Sequence, residues 1–161
     1  MCKLFVHSVV AIAMFASAVM TSAQSPSMLD LRIKTESSNG IIVANFINQG
    51  TSSIKLWKGA NSWAWDNVRF VIIRNHVSFY FRRNPAEAFT RNGPAYYDVK
   101  KLESVAHAFD IFDGSWLASE GAPQKLVKGD TIICAYAVNS TPEAAKYNVW
   151  VGTACAITNA E

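Results

Sequence analysis

Ile41–Trp57 reads IIVANFINQGTSSIKLW, and the chain is organised around it. Ile41, Val43 and Ile47 stand among β-branched and aromatic neighbours, which pack well on a pleated surface. Asn48-Gln49-Gly50 offers a reversal, and Ile54 and Leu56 then alternate with Ser53 and Lys55. The reading is strand, tight turn, strand. The rest of the chain repeats that grammar, with short apolar runs closed by Asn, Gly, Pro or Asp.

Upstream, Leu29, Leu31 and Ile33 alternate with Asp30, Arg32 and Lys34, a period of two with one wet face. Ser37-Ser38-Asn39-Gly40 joins this strand to the central stretch, because Asn-Gly accepts the positive φ of a type I′ turn. Downstream, Val68–Arg74 (VRFVIIR) is apolar almost throughout, the pattern of a strand covered on both faces. Asn75-His76 reverses the chain into Val77–Arg83. Asn84 to Lys101 reads as irregular, with one helical turn at Pro85-Ala86-Glu87-Ala88. Further strands are expected at Glu103–Phe112, Thr131–Val138 and Val149–Ile157, with a loop or short helix around Pro142-Glu143-Ala144-Ala145.

About eight short strands with no amphipathic helix between them predict an all-β antiparallel β-sandwich, with a closed β-barrel as the alternative. Before them, Lys3 and the apolar run Leu4–Ala18 lead to the small-residue triplets Ala16-Ser17-Ala18 and Thr21-Ser22-Ala23, the layout of a secretory signal peptide. The run is shorter than the roughly 20 residues a bilayer crossing needs. Residues 1–23 are therefore expected to be removed, leaving 24–161 as one secreted or periplasmic domain with no membrane span.

Of 15 basic residues only Lys3 leaves with that segment, so 14 remain against 12 acidic ones, too even a balance to indicate nucleic acid. Of three Cys, Cys134 and Cys155 remain, and an even pair in an exported chain points to a disulfide. The two lie in successive strands. Pairing Val138 with Val149 at the connection sets position 134 opposite 153, and a shift of two residues brings Cys155 across from Cys134. Two Cys without a nearby His do not make a zinc shell, and neither a metal nor another cofactor is expected.

Catalytic strings are missing. There is no His-Glu-x-x-His, no Gly-x-Ser-x-Gly and no Gly-rich phosphate loop. His107 beside Asp110 and Asp113 is the most site-like cluster, but period two splits it across two faces. The binding candidates are aromatics at turns: Trp63, Trp65, Tyr96, Tyr97 and Trp116. Exposed Trp and Tyr offer rigid contact area, while buried ones close the ends of a sandwich. Arg69, Arg74, Arg82, Arg83 and Arg91 add a cationic face for an acidic partner if the two strands 68–74 and 77–83 pair.

Asn48-Gln49-Gly50, Ile54-Lys55-Leu56, Trp63 and Phe70-Val71-Ile72 together resemble the front half of exported bacterial immunoglobulin-like modules. Some of these precede deuterolysin-type metalloproteases and others occur alone. Thr90-Arg91-Asn92-Gly93-Pro94, Asp113-Gly114-Ser115-Trp116 and Val149-Trp150-Val151-Gly152 are similar to secreted bacterial domains of unassigned function. The resemblance implies an immunoglobulin-like sandwich, and no protease domain is expected to follow it. The expected function is a non-enzymatic recognition module for a protein partner, in the manner of an inhibitor or immunity protein. A carbohydrate-binding module and a small hydrolase are the alternatives.

Overall fold

The computed structural model describes residues 29–36, 40–59, 62–84 and 93–161. The leader 1–23, the turn residues 37–39, the helical turn at 85–88 and Arg91 lie outside them. Among the described residues ten strands and one short helix follow in order: β1 (Leu29–Glu36), β2 (Ile41–Asn48), β3 (Ile54–Trp57), β4 (Val68–Arg74), β5 (Val77–Arg83), β6 (Tyr96–Val99), β7 (Ser104–Asp110), β8 (Trp116–Ala118), β9 (Thr131–Val138), α1 (Pro142–Tyr147) and β10 (Gly152–Asn159). They form a sheet β1-β2-β7, a sheet β10-β9-β4-β5-β8 and a ribbon β3-β6, all antiparallel. The sheets stay separate, so the fold is a sandwich and not a barrel. The order β1-β2-β7 against β10-β9-β4 is that of the A-B-E and G-F-C strands of an immunoglobulin sandwich.

Alternation decides which side chains meet between the sheets. Ile42, Ala44 and Phe46 of β2 face Phe70 and Ile72 of β4 and Ile132, Cys134 and Tyr136 of β9, all buried. Ring contacts bridge the gap: Phe46 to Tyr136 at 4.9 Å and Phe70 to Phe109 at 5.5 Å, both edge to face. The β4–β5 hairpin closes as expected, with Asn75 and His76 both left-handed (φ 51° and 65°) in a type I′ pair. Gly40 (φ 84°) ends the β1–β2 connection under Phe112, where a Cβ would sit 2.2 Å from the ring.

The central stretch departs from its reading as a hairpin. β2 pairs with β1 and β7, while β3 leaves the sheet and pairs with β6. Asn48 is the cause. Its backbone N–H donates to Glu103 (3.0 Å) and its carbonyl accepts from Leu102 (2.8 Å), so the β6–β7 connection occupies the edge a hairpin partner would use. Its side chain accepts from the Gly50 N–H (2.8 Å) and donates to the carbonyls of Ser52 (2.8 Å) and Val99 (2.9 Å). β6 and β8, only four and three residues long, were not anticipated, because runs that short carry no period.

The predicted Cys134–Cys155 disulfide is also corrected. Val149 and Trp150 dock on Lys55 of β3, so β10 begins only at Gly152, which pairs with Val138. The register is three residues from the Val138–Val149 pairing, an odd number, and an odd slip turns side chains to the other face. Cys134 therefore faces Ala156 in the core, and Cys155 lies opposite Ala135 on the exposed side; both are free thiols.

At one end of the sandwich, Arg74 donates from Nε and Nη2 to the two carboxylate oxygens of Asp130, each at 2.7 Å. The Val127 N–H adds a third bond to Asp130 at 2.9 Å. Asp130 is only 1 % exposed. Burial alone would push its pKa up, but the Arg74 bond, the Val127 amide and the Arg74 charge together hold it below the ordinary carboxylate value.

Two outcomes follow for stability. Asn48→Ala should lower the unfolding free energy by about 3 kcal/mol, since two carbonyls and an amide lose their partner. Asn48→Asp should be at least as damaging, because a carboxylate cannot donate to Ser52 and Val99; urea unfolding of both variants measures this. Asp130, with its folded pKa below the unfolded one, contributes stability that is present above about pH 4 and lost as pH falls through the folded value. Asp130→Asn should cost about 3 kcal/mol at pH 7. It should also flatten the stability profile on the acid side, below about pH 5, in denaturant titrations.

Candidate functional site

The opposite end of the sandwich holds a recess built from one inward-facing row of side chains. Across the large sheet the register aligns Ala154, Tyr136 and Val68, and across the β5–β8 pair it aligns Arg83 with Trp116. The β4–β5 register, continued by one residue, places Arg83 beside Val68. A small Val between Tyr136 and Arg83 leaves a gap in this row. Phe46, Val105, His107 and Phe109 of the other sheet form the opposite wall. Leu56, Trp57 and Tyr97 from the β3–β6 ribbon, with Gly59, Ala64 and Trp65, surround the mouth. The cavity volume is about 40 Å³, room for the tip of a side chain rather than a whole sugar or nucleotide.

Arg83 is the distinctive group. Its guanidinium carbon lies 4.6 Å from the ring centre of Trp65 and 4.1 Å from that of Trp116. Arg stacks on indoles in this way because a planar, weakly hydrated cation meets the negative face of the ring. Nη1 also donates to the Ser115 hydroxyl, and Asp113 stands 3.9 Å away. Trp65 is anchored by its indole N–H to the Asn84 carbonyl at 2.8 Å.

His107 lies opposite Ala44 in the register and so points into the sandwich end. Its ring packs 4.6 Å from Phe109. Burial first, and the charge of Arg83 second, lower its pKa, which leaves the imidazole neutral at pH 7. Tyr136 is buried with its hydroxyl lacking a protein hydrogen-bond partner, as is the indole N–H of Trp116. The Trp57 backbone draws the phenol pKa down without reaching hydrogen-bond geometry, and burial outweighs it, so the Tyr136 pKa lies well above the usual range. The polar groups lining the recess therefore act as donors or neutral rings.

The five aromatic residues singled out from the sequence converge on this end to different degrees. Trp65 and Tyr97 line the recess. Trp116 is buried beneath Arg83. Trp63 is half-buried and stacks on Trp57, with centres 5.7 Å apart. Tyr96 is half-buried at the ribbon edge, with Lys55 Nζ 4.3 Å from its ring, and Lys58 Nζ lies 5.0 Å from Tyr97. Tyr136 and Trp57 were not singled out as site members, and Arg83 was named only as part of a cationic face. Arg83 was legible as an inward residue two places after Phe81, but Tyr136 looked like plain core.

The histidine and carboxylates do not gather. Asp110 accepts from the Phe112 amide and Asp113 from the Ser115 amide, both in the turn beyond β7, while His107 faces inward. Among the described residues no three His, Cys, Asp or Glu side chains are placed to hold a metal ion. The arginines separate as well: Arg74 is paired with Asp130, Arg83 is in the recess, and only Arg69 and Arg82 share the outer face, directly opposed. No protein-family model matches this chain, and no curated protein or solved structure matches it.

Arg83→Met keeps the length of the side chain and removes the charge. It should raise the His107 pKa toward its ordinary value, observable in the pH titration of the imidazole carbon protons by NMR. It should also lower stability by about 1 to 2 kcal/mol through the lost stacking and hydrogen bond.

Proposed function

We propose that this chain is an exported, non-enzymatic recognition module that engages a protein partner at the aromatic end of the sandwich. The observation that carries this reading is the recess itself. It brings aromatic rings from β3, β6, β7, β9 and the 62–67 loop around one stacked arginine, and among its lining residues there is no carboxylate, thiol or aliphatic hydroxyl. Such a site presents rigid contact area and hydrogen-bond donors, the composition found at the energetic centres of protein interfaces. It supplies no nucleophile with a base beside it, which argues against hydrolysis. The export part of the proposal rests on the Leu4–Ala18 run and the small residues after it.

Sugar binding draws less support. A carbohydrate platform needs open rings lying side by side. Here Trp63 is stacked on Trp57, Lys55 and Lys58 sit over Tyr96 and Tyr97, and Arg83 lies against Trp65 and Trp116. None of the five candidate aromatics is fully exposed.

The test is a quantitative pull-down from the exported fraction of the native cell, with the partner then identified and its affinity measured. Trp65→Phe and Tyr97→Ala should each weaken binding about tenfold or more, in the range of interface hot spots. Their melting temperatures should stay within a few degrees of the parent. Loss of binding only in proportion to loss of stability would assign these rings to the core instead.

A further inference from the structure

The outer face of the five-stranded sheet carries three rows of side chains, read directly from the register. Ile157, Ile133, Val71 and Tyr80 align across β10, β9, β4 and β5. On one side of them run Cys155, Ala135, Arg69, Arg82 and Leu117, and on the other Asn159, Thr131, Ile73 and Ser78. None of these side chains is buried. Ile157 is 66 % exposed, Tyr80 52 % and Leu117 40 %, three of the six large apolar side chains left exposed among the described residues. The sequences of β4 (VRFVIIR) and β9 (TIICAYAV) are apolar on both faces, the composition of strands covered twice. The fold covers them once.

We propose that a second copy of this chain docks on this face to form a weak two-fold dimer. Three observations favour this occupant. Charges of both signs stand at one end of the face: Asp66, in the loop before β4, holds Arg69 at 2.8 Å, whereas Arg82, directly opposed to Arg69 with the same sign, has no carboxylate among the described residues. A two-fold partner brings its own Asp66 toward Arg82, twice over. The area is also informative. Five strands about 4.8 Å apart and three rows about 6.8 Å apart cover about 500 Å², below the roughly 800 Å² per partner of a standard interface. That size fits a reversible dimer with a dissociation constant between about 1 μM and 1 mM. Finally, Cys155 lies at the β10 end of the row beside the apolar one, an exposed thiol whose only candidate partner within the described chain, Cys134, faces the core. An apolar row with a small thiol beside it is a surface suited to burial against its own copy.

The dimer is tested by sedimentation equilibrium of the purified protein from about 10 μM to 1 mM. The apparent mass should rise toward twice the monomer value across that range. Ile157→Glu should abolish the rise, and Arg82→Glu, at the other side of the face, should weaken it at least fivefold. Leu102→Glu, equally exposed but off the sheet, should leave it unchanged; circular dichroism checks that each variant is folded. In parallel, alkylation of Cys155, followed by peptide mapping, should slow several-fold at the high concentration. A parent protein that stays monomeric at about 1 mM overturns the proposal. Association that survives Ile157→Glu and Arg82→Glu, or Cys155 alkylation at one rate throughout, overturns it as well.

Discussion

Asn48 is the side chain on which the layout turns. A buried primary amide must satisfy two donors and an oxygen, and the fold supplies all of them from backbone: two carbonyls and one amide. Those partners come from three different places, namely the chain just after β2, the residue Ser52, and Val99 at the end of β6. Satisfying one side chain thus forces the chain out of the β2 sheet and brings β6 alongside β3. Once β3 and β6 are paired, Leu56 stands opposite Tyr97 and Trp57 opposite Tyr96, with Leu56 and Trp57 both buried. The mouth of the recess follows from this arrangement. A polar residue at the end of the first long strand therefore shapes a site formed by residues as distant in sequence as Tyr136.

The recess itself results from an imperfect match of side-chain sizes. Inward rows nearer the middle of the sandwich, such as Phe81, Phe70 and Cys134, fill the space between sheets with rings and a small thiol. The terminal row places Val68 between Tyr136 and Arg83, and a small residue between two long ones cannot reach the opposite sheet. A hydrophobic core closes such gaps by repacking where it can. Here the neighbours are held: Tyr136 by Phe46 and by Trp150, stacked 5.8 Å away, and Arg83 by two indoles.

Much of the fold was legible because its strongest strands have unambiguous patterns. β4, β5 and β9 fall where the sequence places them, residue for residue, and the Asn75-His76 reversal needs only two residues that accept positive φ. What failed was long-range. Asn48-Gln49-Gly50 looks like a turn by composition, and only the distant Val99, Leu102 and Glu103 reveal that it is a crossover. The start of β10 moved by three residues because Val149 and Trp150 found Lys55, a contact no local pattern announces. That single shift decided the two cysteines, since the parity of a register determines which face each occupies. For the candidate site, the aromatic residues were visible as types, but their gathering depended on the β3–β6 ribbon, and β6 is too short to be seen in advance.

The two ends of the β4–β5 hairpin show two ways to bring a guanidinium toward a core. Arg74 ends β4 and Arg83 ends β5, so antiparallel pairing sends them to opposite ends of the sandwich, both on the inward face. At Arg74 a buried carboxylate takes the charge with two short bonds, and the pair is inert. At Arg83 the contacts are mainly with π faces, which hold a cation in place without cancelling its formal charge. The consequence is measurable at a neighbour: the field of Arg83 reaches His107 and helps to keep that imidazole neutral. A positioned cation, a neutral imidazole and a phenol without a protein partner at one end, against a closed ion pair at the other, give the sandwich a polarity that its nearly even strand pattern does not display.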